Sequence, residues 1–260
     1  MEVLKDLPDN SVDMIYSDPD YNVGINYAGD IYNLEWDKYI DWYGELMTQS
    51  MRVLKDNGNL FTINYPKQNS YLRVRYLDKL AYNVEEYCWV YNTGTEYSQK
   101  QKRFSRAHRS ILHATKSEEN QFYKQEVVFP YARSKDPKVQ RSIANGSLGR
   151  MPYSWFYFNQ VKNVSPEKTI HPCQIPLQLA KMLFLVSTKP DDTIFILFGG
   201  SGSEICLAKM MKRNYISCEI NKTYYDMIQA RIARNGYIPH EYKLVFGKKE
   251  ENLPLLKELL

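Results

Sequence analysis

The sequence predicts an α/β protein built on a mainly parallel sheet, interrupted by one inserted region. Three observations carry that expectation. Apolar, strand-like runs alternate with segments of helical period toward both ends of the 260-residue chain. A glycine-rich turn, Gly199-Gly200-Ser201-Gly202, separates an apolar run from a helical one, and an acid, Glu219, follows about 20 residues on. Between the two regular ends lies a polar, turn-rich stretch, 94–168, in which the alternation stops. The chain therefore divides into two halves of one core, 1–93 and 169–260, and an insertion, 94–168.

Taken in order, residues 12–16 form a short apolar run that reads as a buried strand. Tyr39, Ile40, Tyr43, Leu46, Met47, Met51 and Leu54 recur at helical spacing over 36–54, and Asn57-Gly58 supplies a helix-ending signal. Residues 60–64 read as the next strand, 70–79 as a helix, and 84–90 and 111–115 as further strands. After the insertion, Pro176 opens a helix that runs to 187. A buried strand over 193–198 leads through the glycine turn into a helix over 204–212. A strand over 214–220 and a helix over 222–233 complete the pattern, and no internal repeat is visible.

Charge is modest overall, at +4, but uneven. Between Glu96 and Lys168 there are 14 Lys/Arg against 6 Asp/Glu, whereas the rest of the chain holds 20 against 24. Such a basic segment suits a polyanion. Tyr97, Phe104, Phe122, Tyr123, Tyr131, Tyr153 and the run 155–158 interleave with its cations, as stacking on bases and pairing with phosphates would require. The run 155–158 is expected to be core. No apolar run is long enough for a membrane span, and residues 1–6 lack the features of a signal peptide. The four cysteines are scattered without a C-x-x-C pair, which predicts a reducing cytoplasm. The histidines show no ligand spacing, so no metal is expected.

The chemistry concentrates in Ser17-Asp18-Pro19-Asp20-Tyr21-Asn22, at the end of the first strand. A carboxylate and the carbonyl beside a proline can accept the two protons of an exocyclic amine. The proline holds that carbonyl still, and an aromatic ring can stack on the base that carries the amine. At the other end, glycines let the backbone approach a nucleotide closely, and Glu219 can accept hydrogen bonds from ribose hydroxyls.

These residues, in this order, resemble the beta-group (permuted) DNA amino-methyltransferases. The stretch from Asp18 to Tyr21 is similar to their D-P-P-Y motif, and His171-Pro172-Cys173-Gln174-Ile175-Pro176 to their H-P-x-Q-x-P segment. Phe198, Gly200, Ser201, Gly202 and Ser203 resemble their D-P-F-x-G-S-G-T loop, and Glu219 the acid that follows it. The resemblance implies a Rossmann-like methyltransferase sheet with an inserted target-recognition region. It implies S-adenosylmethionine as cofactor, held by His171, Pro172, Gln174, Phe198, Gly200, Ser201, Gly202, Ser203 and Glu219. It also implies methyl transfer to adenine N6 in duplex DNA after base flipping, with Asp18, Pro19, Asp20 and Tyr21 at the reacting amine. Lys102, Arg103, Arg106, Arg109, Arg133, Lys135, Lys138 and Arg141 are then the expected phosphate contacts.

Cytosine N4 is the nearest alternative target, and a catalytically weakened, DNA-binding accessory subunit of a restriction-modification system is another. RNA or protein methylation is a third. Double-stranded DNA is the expected partner, with a cognate restriction nuclease or a second copy of the chain beside it. Three departures from the family pattern stand out. Asp20 replaces the second proline, and Ile196-Leu197 replaces the Asp-Pro before Phe198, removing a carboxylate expected near the cofactor's amino group. The strand and Gly-Asp turn that open most relatives are absent. Residues 242–248 are expected to supply that strand from the other end, and 252–259 the next helix.

Overall fold

A computed structural model describes residues 1–93 and 102–243. A short helix α1 (Glu2–Asp6) precedes the first strand, β1 (Val12–Ser17), which is buried along its whole length. A two-stranded hairpin, β2 (Asn26–Tyr27) and β3 (Asp30–Ile31), then projects from the end of β1. Helix α2 (Trp36–Val53) buries the stripe read from the sequence: Tyr39, Ile40, Tyr43, Leu46, Met47 and Met51.

Asn57-Gly58 does not end that helix. The chain turns directly from Val53 into β4 (Leu54–Asn64), and Gly58 lies inside the strand. There the register against β1 jumps, Val12 pairing with Leu54 but Met14 with Asn59. A Cβ on Gly58 would sit 2.8 Å from the Asp13 carbonyl and 2.6 Å from Leu54 Cδ1. The glycine therefore serves a bulge and a close backbone approach, which at sequence level looks the same as a stop signal.

The helix expected over 70–79 starts earlier, because Pro66 takes the first helical position of α3 (Pro66–Leu72). It continues through a wide π turn, Arg73–Leu77, into α4 (Asp78–Leu80). Strands β5 (Asn83–Val90) and β6 (His108–Thr115) pair antiparallel, and β6 pairs antiparallel with β4 as well. Thus part of the stretch 94–168 belongs to the interior of the sheet. The remainder carries a turn of 3-10 helix at Lys124–Glu126, helix α5 (Pro137–Ala144) and strand β7 (Trp155–Tyr157).

Strand β7 is an edge strand on β5. Its Trp155 and Tyr157 are about half exposed, which corrects the expectation of a core cluster at 155–158. Alternation along an edge strand turns these two rings outward and leaves Phe156 packed inward against the core.

Regular α/β order returns with α6 (Leu177–Ser187), β8 (Thr193–Ile196), α7 (Ser203–Met210), β9 (Asn214–Ser217) and α8 (Lys222–Ala233), followed by a 3-10 turn at His240–Tyr242. Both β8 and β9 stop before the residues expected to end them, leaving 197–202 and 218–221 free as loops. The expected C-terminal strand and helix lie outside the described residues from 244 on. Tyr242 and Lys243 meet the loop at Thr169–Ile170 rather than the main sheet.

The seven strands run in the order β7-β5-β6-β4-β1-β8-β9, and β6 alone is antiparallel to its neighbours. One face packs on α6, α7 and α8 through Met14, Tyr16, Leu183, Phe184 and Leu207. The other packs on α2 and its neighbours through Ile15, Tyr43, Met47, Leu60 and Phe195. The chain leaves β1 for β4 on one side and returns to β8 on the other. That change of direction opens a crevice at the carboxyl ends of β1 and β8, where ligands bind in sheets of this kind. No helix among the described residues is long and apolar enough to cross a membrane.

Candidate active site

Three strand ends meet at this crevice. The loop after β1 carries Asp18 to Tyr21, the loop after β8 carries Phe198 to Gly202, and Tyr65 follows β4. Two cavities open on either side of Asp18. Asp18, Tyr21, Cys173, Gln174 and Ile175 line both.

The first cavity is built on the glycine turn. Gly202 adopts φ +75°, and a Cβ there would meet Ile228 Cγ1 at 2.9 Å, so both backbone conformation and space require glycine. Glu219 braces the turn from below. Its carboxylate accepts from the Gly200 N–H (2.7 Å) and the Asn221 N–H (2.8 Å). Burial pushes this acid upward in pKa, and the two backbone donors pull it back. Arg231, fully buried on α8, donates to the Ser201 carbonyl and to Ser203 Oγ (3.1 Å), and so pins the turn from the other side.

His171 closes one wall. Its Nδ1–H donates to the Cys173 carbonyl, and its ring packs edge-on against Tyr224 at 4.7 Å. Burial lowers its pKa to about 4, so the imidazole is neutral at pH 7 and bears no charge into the cavity. The Lys168 ammonium holds this segment by donating to the carbonyls of His171 and Pro172. Gln174 is committed to the same loop: its side-chain oxygen accepts from Thr169 N–H (2.6 Å) and Oγ1 (2.9 Å), and its amide donates to the Glu167 carbonyl (3.0 Å).

Of the residues expected from the sequence to hold a cofactor, His171, Gln174, Phe198, Gly200, Ser201 and Glu219 line the first cavity. Pro172 lines the second. Gly202 and Ser203 lie behind the surface and shape the turn. Ile196 is buried in the core, on the strand itself.

The Asp18 carboxylate accepts from the Tyr21 hydroxyl at 2.5 Å. Burial raises its pKa to about 7, against the lowering effects of that hydrogen bond and of the Arg109 guanidinium. Tyr21 stands edge-on to Tyr65 at 5.3 Å, and its carbonyl accepts from Gln68 Nε2 at 2.8 Å. Asp20 folds back onto its own loop. Its Oδ1 accepts from the Asn22 N–H (2.7 Å), and its backbone carbonyl accepts from the Tyr39 hydroxyl (2.8 Å). Asp20 borders the first cavity and is not among the residues that line the second.

The second cavity is walled by Trp89, Tyr21, Arg109 and the loop 160–164. Arg109 was expected among surface phosphate contacts. It lies instead on β6, only 7% exposed, stacked at 4.0 Å on the Tyr65 ring and donating to the hydroxyls of Tyr65 (3.1 Å) and Tyr91. Lys102, Arg103, Arg106, Arg133, Lys135, Lys138 and Arg141 are exposed. Arg106 also approaches the Tyr65 ring (5.1 Å). Lys138 and Arg141 project from α5, which Asp136 caps by accepting from the Lys138 N–H at 2.8 Å.

Several participants escaped the sequence reading. Glu204, in the first turn of α7, lines the first cavity with Tyr16, Tyr27, Tyr32 and Tyr224. The glycine turn signals that a helix begins there. It does not reveal that the second residue of this helix faces inward.

A search for similar proteins decides the family. The DNA methylase family model (N6/N4 class) matches residues 12–230, most of the chain. The chain belongs to the DNA methylase family. This methyltransferase is 30% identical over 274 aligned positions to the type II methyltransferase M.BglII of Bacillus subtilis, covering 100% of the chain and 71% of that relative. It is 27% identical to the DNA adenine methyltransferase YhdJ of Escherichia coli K12, over 96% of the chain and 86% of YhdJ. Among solved structures, the cytosine-N4-specific PvuII DNA methyltransferase superposes with a TM-score of 0.64 at 17% identity, covering 94% of this chain and 85% of that one. The structure of M1.HpyAVI with SAM superposes with a TM-score of 0.58 at 22% identity, over 88% and 94% of the two chains. These two likenesses establish a shared fold.

The methyltransferase should show a distinctive pH response. Asp18 is raised to about 7 and Glu204 to about 8, each chiefly by burial, whereas both ionise near 4 in the unfolded chain. An acid raised on folding contributes stability that is complete below its unfolded pKa and lost as pH rises through the folded one. The buried His171 and His113, each lowered to about 4, act in the opposite sense up to about pH 6.5, so the melting temperature of the ligand-free protein is expected to fall between about pH 6.5 and pH 8. A scan that instead rises steadily over that window would contradict the burial of these two acids.

Proposed function

We propose that this protein transfers a methyl group from S-adenosylmethionine to adenine N6 in duplex DNA. One observation carries the reading: the two cavities meet at Asp18, so one group borders both a nucleotide-type site and a second site walled by aromatic rings.

The first cavity suits the cofactor on chemical grounds. Among the described residues that line it, Asp18, Asp20, Glu204 and Glu219 are acids, none is Lys or Arg, and His171 is neutral. The buried Tyr16 hydroxyl has no partner and borders the same space. Such a lining rejects a nucleoside triphosphate and favours a nucleoside that bears positive charge. Glu219 is placed at the glycine turn for ribose hydroxyls, with Phe198 and Ile220 beside it as apolar walls. When bound, S-adenosylmethionine supplies a methyl group on a sulfonium, which leaves as a neutral thioether.

The second cavity is read as the receptor for the flipped base. The Tyr21 hydroxyl occupies one oxygen of Asp18, leaving the other for one amine proton, and the carbonyl of Pro19, which borders the first cavity next to Asp18, is assigned the second where the two cavities meet. Acceptors fixed at these points keep the lone pair of nitrogen available and stabilise positive charge as it develops there. Arg109 opposes the effect of burial on Asp18 and so favours the ionised form needed for this task. Tyr21 and Trp89 supply faces and edges for stacking. Asp20 is turned away from this cavity, so it does not obstruct the base.

The relative YhdJ bears the name of an adenine methyltransferase, and the resemblance of Asp18 to Tyr21 to the family's D-P-P-Y motif implies adenine as the target. Digestion of DNA treated with the enzyme and mass analysis of its nucleosides tests the base: N6-methyladenine is expected, and N4-methylcytosine alone would overturn it.

The exposed cations of the insertion are proposed as phosphate contacts. Reversing two on α5, Lys138→Glu with Arg141→Glu, is expected to weaken DNA binding and to reduce the slope of log Kd against log salt by about 2. Cofactor affinity should not change. An unaltered salt slope would remove α5 from the DNA surface.

A further inference from the structure

The mechanism leaves one buried acid unused. Glu204 is 7% exposed and lines the first cavity from the start of α7. Each of the other three acids there has a hydrogen bond that fixes its place: Asp18 holds Tyr21, Asp20 holds the Asn22 N–H, and Glu219 holds the Gly200 and Asn221 N–H groups. The Glu204 carboxyl is met by its own backbone N–H and, among the described residues, makes no hydrogen bond or ion pair with another side chain. Its charged neighbours are Asp18 from the loop after β1, Arg231 from α8 and Glu167 from the loop before α6. Arg231 donates through its two terminal nitrogens to Ser201, Ser203 and Gly236, while its buried Nε has no partner, so it is a nearby opposite charge that makes no ion pair with Glu204. A buried carboxyl without a direct ion-pair partner is costly, and here it stands beside the unpartnered Tyr16 hydroxyl.

The order of the acids along the cavity narrows what could satisfy it. Glu219 marks the glycine-turn end, and Asp18 marks the junction with the second cavity, where the methyl group must be delivered. Glu204 lies near enough to Asp18 for the Asp18 carboxylate to raise its pKa. The part of the methyl donor beyond its sulfonium is a short chain ending in an α-ammonium and an α-carboxylate. Only the ammonium complements a carboxylate.

We propose that Glu204 receives the α-ammonium at the methionine end of the methyl donor, and so selects cofactors that carry an intact amino-acid tail. The inference rests on S-adenosylmethionine being the cofactor. Glu204 is a positioning residue: by anchoring the tail, it fixes where the methyl group points without touching the transferred carbon.

Titration calorimetry with S-adenosylmethionine and with 5′-methylthioadenosine, which keeps the nucleoside but lacks the amino-acid tail, separates the possibilities. Glu204→Gln should bind S-adenosylmethionine at least about tenfold more weakly than the wild type, because a charge-assisted pair becomes a neutral contact. It should bind 5′-methylthioadenosine as the wild type does, which also shows that the cavity is intact. Equal loss of both ligands would mean that Glu204 only shapes the fold. Unchanged affinity for S-adenosylmethionine would overturn the assignment while leaving the cofactor in place. Failure of the wild type to bind S-adenosylmethionine would overturn the proposed function itself, and this assignment with it.

Discussion

Asp18→Ala is expected to lower the rate of methyl transfer on the order of 10³-fold, the scale on which removal of one fixed electrostatic partner acts in other enzymes. The substitution removes the proposed acceptor for an amine proton, which among the described residues is the one acid that lines both cavities, and whose pKa burial raises to about 7. The fold should survive, because the lost carboxyl is one that burial disfavours, and its one side-chain hydrogen bond is to Tyr21. Single-turnover transfer of a labelled methyl group, with the melting temperature as control, separates the two effects. A variant that folds and retains more than about a tenth of the wild-type rate would show that the amine is held elsewhere.

Arg231→Met is expected to have the largest effect on stability. The guanidinium is fully buried and donates to the Ser201 carbonyl, Ser203 Oγ and the Gly236 carbonyl. Methionine fills much of the space but leaves those acceptors without donors, at a cost of about 3 kcal/mol. For a chain of this size that corresponds to a fall of roughly 6–12 °C in Tm. Because the glycine turn loses its brace, cofactor affinity should weaken as well. An unchanged Tm would mean that the buried guanidinium contributes nothing net and that the turn holds itself.

The fold was legible where a pattern was sustained or reinforced. The helix stripe from Tyr39 to Met51 rests on periodicity held over several turns, the strand–turn–helix around Gly200 on periodicity with a punctuating glycine, and both appear where expected. Gly58 shows where such reading fails, since a glycine in a bulge and a glycine ending a helix look identical in one dimension. The run 155–158 failed for a related reason. Four consecutive aromatic-rich residues suggest core, but strand alternation at a sheet edge turns every second ring outward.

The candidate site was legible as motifs but not as a geometry. Asp18, Tyr21, His171, Gly200 and Glu219 are far apart in sequence, yet they line one cavity because β1 and β8 are neighbours. Arg109 sits in a run of cations and reads as one more phosphate contact. Its strand carries it inside, where Tyr65 and Tyr91 hold it beside Asp18. Glu204 and Arg231 belong to helices whose inward faces become visible only once the sheet is assembled. Asp20 raised the question of impaired chemistry. Its Oδ1 accepts from the Asn22 N–H and it borders the first cavity rather than the second, so the proposed base site is not lined by it.

The central claim is that Asp18 stands between a methyl donor and a base amine of DNA. It is tested most directly by incubating the full chain with S-adenosylmethionine labelled in its methyl group and equal amounts of duplex DNA, transfer RNA and protein. Label is expected in the DNA, on the exocyclic amine of adenine, and none above background with Asp18→Ala. Label in RNA or protein but not in DNA, or label in DNA that persists in that variant, would contradict it.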